Sequence, residues 1–354
     1  HSKNKKRVVI GGSHGKTTIT GIVMHVLKKE GLDFDYLVGS KLKDFDVMVR
    51  LSKEAPVMVF EGDEYLSSPI DRRPKFHWYK PEIALLSGIA WDHINVFPTV
   101  ENYIEQFGIF IDLIEKNGTL IYNQDDIVLK NLVENRRNDL KKYAYSIPEH
   151  KINNGITSIL FKNKSFPIKI FGKHNLANIN GARLVCNALG ISDENFFENV
   201  TSFDGTANRL ELVRNTGDKF LFKDFAHAPS KVIATVNAVK EQFPAYQLVA
   251  CLELHTFSSL NSEFLSQYEK SLNKADIACI YFSNHALQLK KLPILDKQVV
   301  ADAFKYNKLA VFNESSEMVQ FLQNIKKKKI VFLMMSSGNF GGLNMNDLAI
   351  NLMT

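Results

Sequence analysis

At about 150 residues per domain, a chain of 354 residues has room for two domains. Hydrophobic residues make up 45% and charged residues 23%, ordinary globular usage that excludes a disordered chain, a collagen-like fibre and a mucin-like stalk. The net charge of +6 is too small to imply a nucleic-acid partner.

Cys186, Cys251 and Cys279 have neither metal-ligand nor redox spacing, and so low a count fits a reducing compartment. No apolar run reaches the ~18 residues that cross a membrane, and no signal peptide opens the chain. A cytoplasmic location is therefore expected. The chain opens His1-Ser2-Lys3 without an initiator methionine, so a fragment is expected whose N-terminal part is absent.

In chain order, a strand over Arg7–Ile10 leads into a helix over Thr17–Lys29. Apolar runs predict further strands at Val57–Phe60, Ile83–Leu86 and Thr119–Tyr122, and a helix follows at Leu176–Leu189. The polar, turn-rich stretch 199–208 marks a boundary. Beyond it, strands are predicted at Phe220–Lys223, Leu248–Leu254, Ile277–Phe282, Leu309–Phe312 and Ile330–Met335. Helical periodicity covers Pro229–Gln242, Ser262–Leu272, Ser316–Ile325 and Met345–Leu352. Strands alternating with helices predict parallel sheets covered on both faces. The fold class is α/β, with one domain over residues 1–203 and a second over 204–354.

The strongest chemical signal runs from Val8 to Thr18. A strand enters the turn Gly11-Gly12-Ser13-His14-Gly15, and Lys16-Thr17-Thr18 opens a helix. Glycines let backbone amides approach phosphate oxygens, and the helix N-terminus adds partial positive charge. Lys16 can reach outer phosphates and the Thr17 hydroxyl can ligate Mg²⁺. The first glycine of the longer phosphate-loop pattern falls on Ile10, so the loop is of a shorter form.

Two more strand ends carry polar groups. Val57–Phe60 runs into Glu61-Gly62-Asp63-Glu64-Tyr65, whose hard carboxylates suit Mg²⁺ beside a nucleotide. Ile83–Leu86 runs into a segment that ends in Asp92-His93. In open α/β sheets ligands gather at such strand ends.

These motifs together resemble the Mur ligase family, ATP-dependent ligases of peptidoglycan synthesis. The phosphate loop is similar to the family's Gly-Thr-His-Gly-Lys-Thr-Thr, with Ser13 in the threonine place. Glu61–Tyr65, Asp92-His93 and Asn123–Asp126 look like its acidic, Asp-His and Asn-Ala-Asp-Asp motifs. Gly172–Asn178, Arg209-Leu210-Glu211 and Asp224–Pro229 match three more. The resemblance implies a P-loop central ATPase domain at 1–203 and a Rossmann-like C-terminal domain at 204–354. It has no counterpart here for the family's UDP-binding first domain.

The resemblance also implies a two-step reaction. A substrate carboxylate attacks the γ-phosphate of ATP, and an amine then displaces phosphate from the acyl phosphate. Lys16, Glu61 and His93 are the implied catalytic residues. Gly12, Ser13, His14, Gly15, Lys16, Thr17 and Thr18 would bind ATP, with His174, Asn175, Asn178, Arg209, Asp224 and His227. Thr17, Glu61 and His93 are the implied Mg²⁺ ligands.

Asp71–Phe76 and Ser336–Gly342 look more like the branch that recycles murein peptides. Its substrates would be UDP-N-acetylmuramate and the tripeptide L-Ala-γ-D-Glu-meso-diaminopimelate. His255, Ser336 and Gly338 are candidate acceptor contacts, with the turn amides of Ser336–Gly342 as donors to a peptide carboxylate. Gly88, Asn208, Ala228 and Glu253–Ser258 depart from the pattern and leave the amino substrate open. L-alanine is the alternative acceptor. A folylpolyglutamate-type ligase and a P-loop switch acting on a protein are the other readings.

Overall fold

The computed structural model describes residues 1–42, 44–91, 96–153 and 155–353. The chain divides into two compact units, His1–Ala207 and Asn208–Thr354.

The first unit is built on a seven-stranded sheet. Its strands are β1 (Lys6–Gly11), β2 (Phe34–Leu37), β3 (Val49–Arg50), β4 (Val57–Glu61), β5 (Ile83–Leu86), β6 (Thr119–Asn123) and β7 (Lys141–Tyr145). Their spatial order is β3-β2-β4-β1-β5-β6-β7. All neighbours run parallel except the edge pair β2 and β3. Strand alternation explains the two cores. Val8, Ile10, Val59, Leu85 and Ile121 face one apolar layer, while Val9, Met58, Phe60, Leu86 and Leu120 face the other.

Helices α1 (Lys16–Lys29), α4 (Lys173–Ala188) and α5 (Asp193–Val200) supply Ile19, Val23, Ile179, Val185 and Phe196 to the first layer. Helices α2 (Val100–Asp112) and α3 (Ile127–Glu134) supply Phe107, Phe110 and Leu129 to the second. Thr99 and Asp126 cap α2 and α3 by accepting backbone N–H bonds, as short polar N-cap residues do. A small antiparallel sheet, β8 (His150–Asn153), β9 (Ile156–Phe161) and β10 (Lys164–Ile168), precedes α4.

The second unit has strands β11 (Glu211–Asn215), β12 (Lys219–Asp224), β13 (Gln247–Leu254), β14 (Ile277–Phe282), β15 (Leu309–Phe312) and β16 (Ile330–Met335). Their order is β11-β12-β16-β13-β14-β15, parallel except for β11 against β12. Its helices are α6 (Pro229–Gln242), α7 (Asn284–Leu289), α8 (Lys297–Phe304), α9 (Ser315–Gln323) and α10 (Met345–Met353). Met318, Leu322, Leu348 and Leu352 pack on one face of the sheet against Val249, Cys279 and Phe332.

The predicted helix over Ser262–Leu272 is replaced by turns around the short 3₁₀ helix Leu265–Tyr268. Ser262, Ser266, Ser271 and Asn273 favour local side-chain bonds over a continuous helix ladder, and Ser266 Oγ donates to the Glu263 carbonyl.

Candidate active site

Strands β4, β1 and β5 are neighbours, so their C-terminal ends lie side by side. Glu61 is in register with Ile10, and Leu86 with Gly11. The turn that joins β1 to α1 therefore stands between the acidic segment after β4 and the Ser87–Trp91 segment after β5.

Gly12 and Gly15 both take positive φ, +123° and +82°. A β-carbon on Gly12 would collide with the Ser87 hydroxyl and stand 2.8 Å from the Ser87 nitrogen. Gly15 is the left-handed N-cap of α1, and no side chain caps that end. The first turn holds no acidic residue either, which keeps its amides and its partial positive charge for an anion. The Ser87 hydroxyl donates to the His14 carbonyl and so braces the loop.

Lys16 Nζ donates to the Gly12 carbonyl and to Glu64 Oε2, both at 2.6 Å. The ammonium thus arches back over the loop. Thr17 Oγ1 donates to Glu61 Oε1 at 2.7 Å, and Glu61 Oε2 accepts the Gly39 N–H at 3.0 Å. Thr18, next along the helix, is buried. Burial pushes the Asp63 carboxyl up, but the Lys75 ammonium at 2.6 Å and the Tyr65 N–H outweigh it and hold it below the usual range.

The paired hydroxyl and carboxylate of Thr17 and Glu61 fit Mg²⁺. That ion takes hard oxygens and needs one or two protein ligands when phosphates and waters fill the remainder. Among the described residues no group of three or more His, Cys, Asp or Glu could hold a metal by itself. Asp92 and His93, the latter expected as catalytic and metal-binding, lie outside the described residues.

Of the adenine candidates, His174 and Asn175 lie in the first turn of α4 and Asn178 in the second. Asn175 Nδ2 donates to the Phe171 carbonyl at 2.9 Å, so half of its amide already serves the helix end. Asn178 is buried and its amide stands against Gly15.

Arg209, Asp224 and His227 belong to the second unit and form a group of their own. The Arg209 guanidinium lies 4.7 Å from the Phe225 ring centroid. Asp224 accepts from the Leu210 N–H at 3.1 Å and from the Thr235 hydroxyl at 2.5 Å. His227 Nδ1 sits 2.7 Å from the Phe225 carbonyl.

The acceptor candidates converge on a residue that was not among them. Glu253, at the end of β13, is 2% exposed. Its Oε2 accepts the Ser336 hydroxyl and the Phe340 N–H, and His255 Nδ1 lies 3.7 Å from Oε1. A β-carbon on Gly338 would come within 2.9 Å of the same carboxylate. Of the turn amides expected to bind a peptide carboxylate, three more are engaged: Ser336 N–H donates to the Asp224 carbonyl, Gly338 N–H to Ser336 Oγ, and Gly342 N–H to Asn339. Glu253 could have been found by its place, an acidic residue next to the end of the apolar run Leu248–Leu254. Tyr103, which joins the phosphate loop from α2, carried no local signal at all.

This arrangement is that of a nucleotide-dependent enzyme with a phosphate loop at the edge of a parallel sheet. The Mur ligase middle domain matches residues 10–186, half of the chain, and the chain belongs to the Mur ligase family. It is an ATP-dependent ligase of the kind that forms amide bonds.

A UDP-N-acetylmuramate–L-alanine ligase of Caldanaerobacter subterraneus is 26% identical over 351 residues, covering 95% of this chain and 74% of that protein. Two solved structures share the fold. A murein peptide ligase from Psychrobacter arcticus has a TM-score of 0.63 at 20% identity, over 99% of this chain and 78% of its own. A UDP-N-acetylmuramate–alanine ligase from Thermotoga maritima has a TM-score of 0.70 at 16% identity, over 99% and 75%. Among the described residues no helix is long and apolar enough to cross a membrane.

Proposed function

We propose that the enzyme joins L-Ala-γ-D-Glu-meso-diaminopimelate to UDP-N-acetylmuramate, with ATP converted to ADP and phosphate. The observation that carries the ATP chemistry is the placement of Lys16 and Thr17 at the uncapped start of α1, against Glu64 and Glu61. A muramate carboxylate oxygen attacks the γ-phosphorus and the bond to the ADP oxygen breaks, leaving an acyl phosphate. The tripeptide's L-Ala amine then attacks the acyl carbon, loses a proton, and inorganic phosphate departs.

Phosphoryl transfer needs alignment and charge neutralisation more than covalent help. The Lys16 ammonium and the amides at the start of α1 supply fixed donors for the phosphate oxygens, while the Ser13 N–H is taken by the Gly88 carbonyl at 3.0 Å. Thr17 and Glu61 would hold Mg²⁺, which adds positive charge at the outer phosphates when bound. His174, Asn175 and Asn178 are assigned to the adenine. On motif likeness Arg209, Asp224 and His227 make further nucleotide contacts.

For the acceptor, the likeness of Asp71–Phe76 and Ser336–Gly342 to the recycling branch supports the tripeptide. Glu253 supports it too, because a buried carboxylate favours an ammonium partner on the acceptor. The tripeptide keeps the diaminopimelate ammonium while its L-Ala amine reacts; L-alanine has one amine, which must be neutral to attack. L-alanine is the second reading, favoured by the name of the Caldanaerobacter relative. The test is product analysis with UDP-N-acetylmuramate, ATP and either acceptor. A tripeptide adduct with stoichiometric ADP is expected, and an adduct with L-alanine alone would overturn the acceptor assignment.

A further inference from the structure

The residues behind the phosphate loop form one hydrogen-bonded chain. The Ala90 N–H donates to Ser13 Oγ at 2.8 Å. Ser13 Oγ lies 2.9 Å from the Tyr103 hydroxyl, and that hydroxyl donates to Glu64 Oε1 at 3.4 Å. The other oxygen of Glu64 receives Lys16.

The donors can all point one way. With Ser13 Oγ accepting from Ala90, its proton can turn to Tyr103 at 2.9 Å, nearer than the Gly88 carbonyl at 3.4 Å, and the Tyr103 proton then turns to Glu64. The chain thus ends on a carboxylate, which also receives the Lys16 ammonium. Tyr103 is wholly buried, its ring 5.1 Å from both Phe97 and Phe107, so the hydroxyl cannot swing away. Glu64 is 1% exposed. The Lys16 contact at 2.6 Å is the short bond to this carboxylate and the Tyr103 contact is longer, and linked bonds of this kind support one another.

We propose that Tyr103 is a positioning residue for Lys16: through Glu64 it fixes the ammonium, and through Ser13 it fixes the loop that the ammonium spans. An ammonium has three N–H donors. Gly12 and Glu64 take two of them and set the direction of the third, which a β- or γ-phosphate oxygen accepts. Tyr103 itself touches no phosphate. Its hydroxyl holds the Glu64 carboxylate in one plane and ties it to Ser13, three residues before the lysine. The inference rests on the nucleotide reading given above and adds to it the origin of the lysine's aim.

The test compares ATP with AMP, because AMP lacks the two phosphates that Lys16 reaches. Calorimetric titration of the purified chain gives both affinities in the presence of Mg²⁺. Tyr103→Phe keeps the ring and is expected to lower ATP affinity about tenfold while leaving AMP affinity unchanged. Ser13→Ala is expected to act in the same direction, and Ser13→Thr, which keeps the hydroxyl, to restore wild-type binding.

Equal losses for ATP and AMP in Tyr103→Phe would mark a merely structural role and overturn the inference. So would wild-type ATP affinity in Tyr103→Phe, whatever Ser13→Ala does. A wild-type chain that binds neither nucleotide would overturn the nucleotide reading, and this inference with it.

Discussion

The side-chain amide of Asn178 fills the space beside Gly15 into which a β-carbon would project, with its Cγ only 3.2 Å from that position. Two motifs more than 160 residues apart in sequence are therefore fitted to each other at one point, the second turn of α4 against the cap of α1.

Gly15→Ala is expected to lose on two counts. The left-handed φ of +82° costs a residue with a β-carbon roughly 1–2 kcal/mol. The new methyl also drives out the Asn178 amide, a buried group of the proposed nucleotide site. Thermal unfolding should shift down by several degrees, and ATP binding should fall with it. Unchanged melting and binding in this variant would contradict the fit between the two helices.

Lys16→Ala removes the ammonium assigned to the outer phosphates. Ligation should drop by at least about a hundredfold. It also takes the cationic partner at 2.6 Å from Glu64, a carboxylate 1% exposed. Breaking a buried pair from one side costs roughly 3 kcal/mol. The single variant should therefore melt lower than wild type, and Lys16→Ala with Glu64→Gln should recover most of the stability but none of the activity. Melting curves and turnover of the two variants separate these effects.

Much of this site was legible because its signals are local. A Gly-Lys-Thr between a buried strand and a helix needs no tertiary knowledge. The apolar strands β1, β4, β5, β13, β14 and β16 are continuous because each is buried on both faces. The edges were harder. Lys141–Tyr145 reads as charged and aromatic because β7 is a half-exposed edge. The hairpin of β9 and β10 turns on Lys162 and Asn163, both at positive φ. Asparagine announces such a turn and lysine does not. Tyr103 was out of reach for another reason: its ring belongs to a helical apolar face, and only packing reveals that its hydroxyl ends beside Ser13 and Glu64.

Acid should weaken the first unit through two histidines. Burial lowers the pKa of His25 and of His77 below the ordinary value of 6.5, although each lies against a backbone carbonyl. The unfolded chain then binds these protons more tightly than the folded one. Their contribution is present in full above about pH 6.5 and is lost as pH falls below it, by up to about 1.4 kcal/mol per pH unit for each histidine. Unfolding midpoints measured between pH 7.5 and 5.5 should show this slope, and His77→Asn should flatten it. A slope unchanged in that variant would remove His77 from the account.

Glu253 gives the sharpest test of the acceptor. Its carboxylate holds the Phe340 N–H at 2.8 Å, with His255 Nδ1 3.7 Å away at the more exposed side. Glu253→Gln keeps an oxygen for the amide and removes the negative charge. A distal ammonium on the acceptor would then lose its charged partner, a loss of about 1 kcal/mol. KM for the tripeptide should rise about fivefold, while KM for ATP stays as it was. L-alanine, whose only amine reacts in its neutral form, should show no such rise. Steady-state rates with both acceptors, at equal ATP and UDP-N-acetylmuramate, decide the matter. A higher kcat/KM for L-alanine in the wild type, with Glu253→Gln neutral toward both acceptors, would place this chain with the L-alanine ligases.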